Sequence, residues 1–223
     1  MTTSELRLVI FDCDGTLVDS FAAIHEAMAA AFRDFGLPAP APDRLRAMIG
    51  LSVAEQVMVL APDADADLRL ALENGYRRHR LGRHDPHEPL FPGARACLEA
   101  LDRREIRMAV ATAKSAKGLR ATLDLHSLGH FFVNLQSGDR HPGKPNPAMV
   151  LTALAETGIA PASALLVGDT RYDVEMAVNA GVTPIGVGWG YHAAEELATA
   201  GAITVVPSFA ALTEMIIERL PNQ

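Results

Sequence analysis

Arg7-Leu8-Val9-Ile10-Phe11-Asp12-Cys13-Asp14-Gly15-Thr16-Leu17 decides the reading of this chain, because an apolar run ends abruptly in two carboxylates and a glycine. The stretch from Leu6 to Phe11 is aliphatic or β-branched and has the length of a buried strand. Gly15 permits a sharp turn directly after it, so Asp12 and Asp14 can face one crevice although they stand two apart. Alternation along an extended chain points the intervening Cys13 the other way, into packing. Asp-x-Asp-Gly also occurs in plain turns, so the segment alone marks a strand end and a candidate site.

Outward from there, comparable runs recur at Arg107 to Ala111, Ala164 to Val167, Thr183 to Val187 and Ile203 to Val206. Amphipathic stretches lie between them at Pro92 to Arg104, Ala116 to Leu125, Pro147 to Thr157 and Asp173 to Ala180. This alternation predicts an α/β fold, a doubly wound parallel sheet with crossover helices. One interval breaks the rhythm: Ser20 to about Asp85 has Ala, Leu, Met and charged residues at helical spacing and no strand pattern. Turn chemistry bounds it, Asp14-Gly15 before and Pro86, Pro89 and Pro92-Gly93 after. The expectation is a helical cap at 18–88 inserted after the first strand, on a core formed by 1–17 and 89–223.

The composition narrows what such a molecule can do. With 223 residues, 49% of them hydrophobic, the chain can bury one full core plus a smaller lobe. A formal net charge of −7 argues against nucleic acid or anionic membrane as partners, since both need a basic face. A phosphate must therefore meet a local positive site. Cys13 and Cys97 are too few for a disulfide framework and favour a reducing compartment. The first residues lack the basic and apolar regions of a signal peptide, and no apolar stretch approaches the roughly 18 residues of a membrane helix. A cytoplasmic location is expected.

In open α/β sheets ligands sit beyond the carboxyl ends of the strands. Besides Asp12 and Asp14, those ends carry Thr112-Ala113-Lys114, the Pro-bounded loop Gly143-Lys144-Pro145-Asn146-Pro147, and Gly168-Asp169-Thr170-Arg171-Tyr172-Asp173. Taken singly, Thr112 reads as a helix N-cap, Asp169 as a turn former and Asp173 as an N-cap. Lys144 is held in a stiff loop where its ammonium cannot wander far. Taken together, Asp12, Asp14, Asp169 and Asp173 would repel one another at one crevice without a cation. Hard oxygen donors point to magnesium rather than zinc.

Phe11 through Ser20, Thr112, Lys144-Pro145 and Gly168 through Asp173 closely resemble the four signature motifs of the haloacid dehalogenase superfamily of hydrolases. The insertion after the first motif resembles that superfamily's C1 cap. Gly168 to Ala177, Asn179-Ala-Gly181 and Gly186-Val-Gly-Trp-Gly190 look most like its phosphoglycolate phosphatase branch. The resemblance implies that Asp12 is a nucleophile and that Asp14 protonates the leaving oxygen and then activates water. It implies that Thr112 and Lys144 hold phosphoryl oxygens, and that Asp12, the main-chain carbonyl of Asp14 and Asp169 bind Mg2+, with Asp173 in support. Ala113 departs from the Asn or Ser of many relatives and leaves only its backbone N–H for phosphate.

Ile49-Gly50-Leu51-Ser52 resembles the cap loop that reaches the active site in relatives, which makes Gly50 and Ser52 substrate-binding candidates; a plain interhelix turn is an equal reading. The basic run Arg77, Arg78, His79, Arg80, Arg83, His84 and His87 could meet an acidic substrate or decorate a solvated face. The implied activity is magnesium-dependent hydrolysis of a small phosphate monoester, phosphoglycolate-like or a sugar phosphate, through an aspartyl phosphate. A phosphosugar mutase and an inorganic pyrophosphatase on the same core are the near rivals, and an inactive binding module the remote one. Asp14 favours phosphoryl chemistry, because dehalogenase relatives lack an Asp there. The expected partner is a small phosphorylated metabolite, the expected state a monomer or homodimer.

Overall fold

Leu8, Val9, Ile10 and Phe11 form strand β1 (Leu8–Phe11), and all four are buried. Their alternation explains why: Val9 and Phe11 enter one hydrophobic cluster while Leu8 and Ile10 enter another on the opposite face. A strand apolar on both faces belongs in the middle of a sheet covered on both sides. In the computed structural model, which describes residues 6–81 and 88–219, β1 does lie there. The sheet has six strands in the order β3-β2-β1-β4-β5-β6, with β2 Arg107–Thr112, β3 Phe132–Ser137, β4 Ala164–Gly168, β5 Thr183–Val187 and β6 Thr204–Val206. Every strand pair is parallel.

Four helices follow β1 before the chain returns to the sheet: α1 Phe21–Asp34, α2 Pro42–Arg46, α3 Val53–Leu60 and α4 Ala66–Leu81. The rest are α5 Ala94–Asp102, α6 Ala116–Leu125, α7 Ala148–Thr157, α8 Arg171–Asn179, α9 Ala194–Ala200 and α10 Phe209–Glu218. Leu98, Leu119 and Phe209 from α5, α6 and α10 cover the Phe11 face; Val150 and Met176 from α7 and α8 cover the Ile10 face. This is the doubly wound architecture expected.

The inserted helices have their own apolar centre, built on Ile24, Met28 and Phe32 of α1, Val57 and Leu60 of α3, and Leu72 of α4. Where α1 and α4 cross, a Cβ on Gly75 would lie 3.2 Å from the Cβ of Ala31, so small residues set their close approach. The two connections to the core run side by side. Val18 bridges antiparallel to Leu90, Asp19 N–H donates to the Pro89 carbonyl at 2.9 Å, and Phe91 N–H donates to that of Leu17 at 3.0 Å.

Two expectations change. Strand β3 went unread because Asn134 and Gln136 interrupt its apolar residues and Val133 is 61% exposed; it is an edge strand, paired only with β2 among the described residues. Helix α8 begins at Arg171 with Thr170 as its N-cap, so Asp173 is not the cap but its third helical residue. Among the described residues no helix is long and apolar enough to cross a membrane. Cys13 and Cys97 are both buried and free.

Candidate active site

The Asp12 N–H donates to the Val167 carbonyl at 2.9 Å, extending the β1–β4 ladder by one residue and fixing this carboxylate at the sheet's carboxyl edge. Beyond it Gly15 adopts φ +86°, and a Cβ there would fall 2.2 Å from Asp169 Oδ2. No side chain can stand at that position. The turn therefore closes on Asp169, which Thr16 Oγ1 contacts at 2.9 Å and the Tyr191 N–H at 2.9 Å, both as donors.

Lys144, fully buried, reaches in from the loop before α7 and donates to Asp12 Oδ1 and Asp173 Oδ1, both at 2.6 Å. The other Asp173 oxygen accepts from Thr170 N–H at 3.1 Å and from Thr170 Oγ1 at 2.6 Å, which closes the capping box of α8. Asp12, Asp169 and Asp173 each bring a carboxylate oxygen within 4.8 Å of the others, and all three are buried. Burial raises Asp12 most; Lys144 pulls it back and Asp173 adds to the rise, leaving it at about 7. Asp169 is raised well above the carboxylate range by burial and then by Asp12 and Asp173.

Three carboxylates against one ammonium leave an excess of negative charge that a cation would relieve. The donors are all hard oxygens, so the triad can hold a divalent metal of the magnesium or calcium kind. Both oxygens of Asp169 and both of Asp173 already accept hydrogen bonds, whereas Asp12 accepts from Lys144 through Oδ1.

Asp14 faces a different environment. Its Oδ1 accepts from Ser20 Oγ and from Lys114 Nζ. Burial alone would raise this carboxyl, yet Lys114, Arg80 and the two hydrogen bonds hold it below its ordinary value.

Above these groups lies a cleft of about 890 Å³ between the inserted helices and the strand ends. Asp12, Asp14, Thr112, Ala113, Gly50 and Ser52 all line it, whereas the fully buried Lys144, Asp169 and Asp173 lie behind its wall. Thr112 does not cap α6; Ser115 does, accepting from Gly118 N–H at 3.2 Å, and Thr112 Oγ1 instead accepts from Lys114 N–H at 3.2 Å. Gly50, at φ +104°, is pressed so closely on Thr170 that a Cβ would sit 2.8 Å from its Oγ1, which places the cap loop directly over α8. Ser52 is the N-cap of α3 and shares a capping box with Glu55, a structural role held alongside its place in the cleft.

The basic run divides. Arg77 pairs with Glu73 and lines the cleft, while Arg78 and His79 pair with Asp34 on the outer surface. Arg80 turns inward to Glu88, and Arg83, His84 and His87 lie outside the described residues. Sequence reading set Lys114 beside Thr112 at a strand end without giving it a role, did not separate Arg80 from its basic neighbours, and gave Glu88 and Gln56 no role. Glu88 carried no signal of its own, because its partners come from α4 and from the loop after β2.

A family model for haloacid dehalogenase-like hydrolases matches residues 9–187. A Dickeya dadantii protein named as a probable phosphatase, IndB, is 35% identical over 91% of this chain and 90% of its own length. A phosphoglycolate phosphatase of Vibrio parahaemolyticus is 28% identical over 97% of this chain and 98% of its own. Among solved structures, a predicted phosphatase from Clostridium acetobutylicum superposes with a TM-score of 0.88 at 25% identity, covering 96% of this chain and all of that one.

Proposed function

This chain belongs to the haloacid dehalogenase-like hydrolase family as a phosphatase, and from that premise we propose that it hydrolyses a small phosphate monoester with magnesium, through a phosphoryl group carried on Asp12. The observation that carries this reading is Asp12 itself: a carboxylate at the end of the central strand, open to the cleft on one side and held by Lys144 on the other. Asp12 attacks phosphorus and Asp14 supplies the proton to the departing ester oxygen, which requires substrate binding to raise a carboxyl that Lys114 and Arg80 hold low in the free site. Asp14 then takes a proton from the water that cleaves the aspartyl phosphate. Two moderate barriers replace one very high one.

General acid–base help supplies only about 10² to 10⁴ of an acceleration that can reach about 10²¹ for such esters, so positioning and charge neutralisation must carry most of it. Magnesium, held by Asp12, the main-chain carbonyl of Asp14 and Asp169, would supply that neutralisation between two anions. Lys144 and Thr112 orient the phosphoryl oxygens, with the backbone N–H of Ala113 beside them. Asp173 keeps Lys144 in place. The insertion at 18–88 acts as a lid on the paired strands of chain around Val18 and Leu90, closing to exclude bulk water and reopening for exchange.

The test is phosphate release from a panel of phosphorylated metabolites with magnesium, run beside Asp12→Asn. Wild type is expected to turn over and the variant to lose at least about 10³-fold, because an amide cannot attack phosphorus. A variant within tenfold of wild type would overturn the role of Asp12.

A further inference from the structure

Four charged groups form a second constellation in the cleft, beside the Asp12 cluster. Lys114, from the loop after β2, pairs with Asp14 and lies 3.6 Å from Glu88. Glu88, in the chain that returns from the insertion, pairs with Arg80 of α4. All four line the cleft, and all four side chains are largely withdrawn from water. Burial disfavours the charge on Lys114 and Arg80, but Asp14 above all for Lys114, and Tyr76 followed by Asp14 and Glu88 for Arg80, outweigh it and keep both cationic.

Within this constellation two cations stand against two anions, so the four groups leave no net charge; Arg77 and Lys117, both exposed, line the cleft outside it. A carboxylate entering here would find both cations matched and two carboxylates repelling it. Gln56, also on the cleft wall, adds an independent observation. Its Nε2 donates to the Leu51 carbonyl at 2.9 Å, which fixes the amide's orientation, and its buried Oε1 has no hydrogen-bond partner. An unsatisfied buried acceptor costs about 1–3 kcal/mol until a donor reaches it. A hydroxyl can supply that donor; an ionised acid cannot.

Size agrees. A volume near 890 Å³ is at the upper end of the roughly 300–1,000 Å³ range of sites that enclose sizeable ligands, far more than a two-carbon acid fills. Ile24, Leu51, Val53 and Leu125 give the cleft an apolar side as well.

Resting on the phosphatase reading above, the geometry points to an ester whose leaving group is uncharged, hydroxyl-bearing and at least sugar-sized, with Glu88 excluding anionic leaving groups and Gln56 accepting from a hydroxyl. Ribose 5-phosphate and glucose 6-phosphate are then better substrates than 2-phosphoglycolate.

The experiment measures kcat/KM for these three esters and for p-nitrophenyl phosphate, with magnesium, in wild type, Glu88→Gln and Gln56→Leu. Each comparison is a ratio within one preparation, so a partly unfolded sample cancels. Wild type should favour a sugar phosphate over 2-phosphoglycolate by about tenfold or more, and Glu88→Gln should shrink that preference by roughly tenfold as a like-charge clash disappears. Gln56→Leu should lower sugar phosphates about three- to tenfold relative to p-nitrophenyl phosphate, which has no hydroxyl to donate. Preference of wild type for 2-phosphoglycolate overturns the inference, as do ratios that neither variant moves. Absence of turnover on all four esters would strike the phosphatase reading instead, which separates the two failures.

Discussion

The two charged clusters of this cleft use the same side-chain chemistry to opposite ends. Around Asp12, three buried carboxylates stand near one ammonium, all from the core, and burial above all, with Asp173 adding to it against the pull of Lys144, lifts Asp12 to about 7. Around Asp14, two carboxylates meet two cations drawn from both core and insertion, and the carboxyl lies below its usual range. An unbalanced cluster recruits a cation; a balanced one leaves no charge for an anion to claim. The first is thus suited to the phosphoryl group common to every ester, the second to telling esters apart.

The comparison breaks most visibly at its shared boundary, Asp14. Asp14→Asn should slow turnover of sugar phosphates by about 10² to 10⁴, and p-nitrophenyl phosphate much less, since a good leaving group needs little protonation. Equal losses on both kinds of ester, measured as kcat, would remove proton donation from Asp14.

Lys144→Ala probes the unbalanced cluster. It leaves Asp12 and Asp173 without their common cation, and breaking a buried pair in this way costs about 3–5 kcal/mol. Urea unfolding should show that loss, and activity should fall alike for all esters because all present the same phosphoryl group. A reordering of substrates by this variant would show that recognition has been assigned to the wrong cluster.

The same cluster predicts how metal binding follows pH. Asp12 titrates at about 7 in the folded chain against 3.8 ordinarily, so between these values the folded state holds a proton that the unfolded state has lost, and metal-free stability declines as pH rises through that window. Magnesium competes with this proton and with the one on Asp169, whose value moves the same way. The rise in Tm on adding magnesium should therefore be larger at pH 8 than at pH 5. Thermal unfolding that shows an equal or smaller rise at pH 8 would contradict the metal assignment.

The smallest effect lies at Ser52, where structure and cleft coincide. Ser52→Ala removes the α3 cap and should cost about 1 kcal/mol in chemical unfolding. Were Ser52 only a cap, the ranking among esters would not move; as a cleft residue it should shift that ranking while magnesium dependence persists.

The amino-acid sequence by itself determined the strand ends and what they carry. Apolar runs followed at once by Asp12, Thr112 or Asp169 are local signals, since side-chain alternation and turn chemistry act over a few residues. It determined the inserted helices for the same reason, through their period. The edge strand β3 escaped because its polar Asn134 and Gln136 make sense only beside the edge and Glu156, which Asn134 and Gln136 both contact. Tertiary structure alone decided that Thr170 rather than Asp173 caps α8, and that Asp173 holds Lys144 across 29 positions. It alone turned Arg80 inward to Glu88 while Arg78 faced Asp34 outside, and set Lys114 between Asp14 and Glu88. Charge pairing in a buried wall depends on distances between segments far apart in the chain, and those distances exist only once the insertion has packed against the sheet.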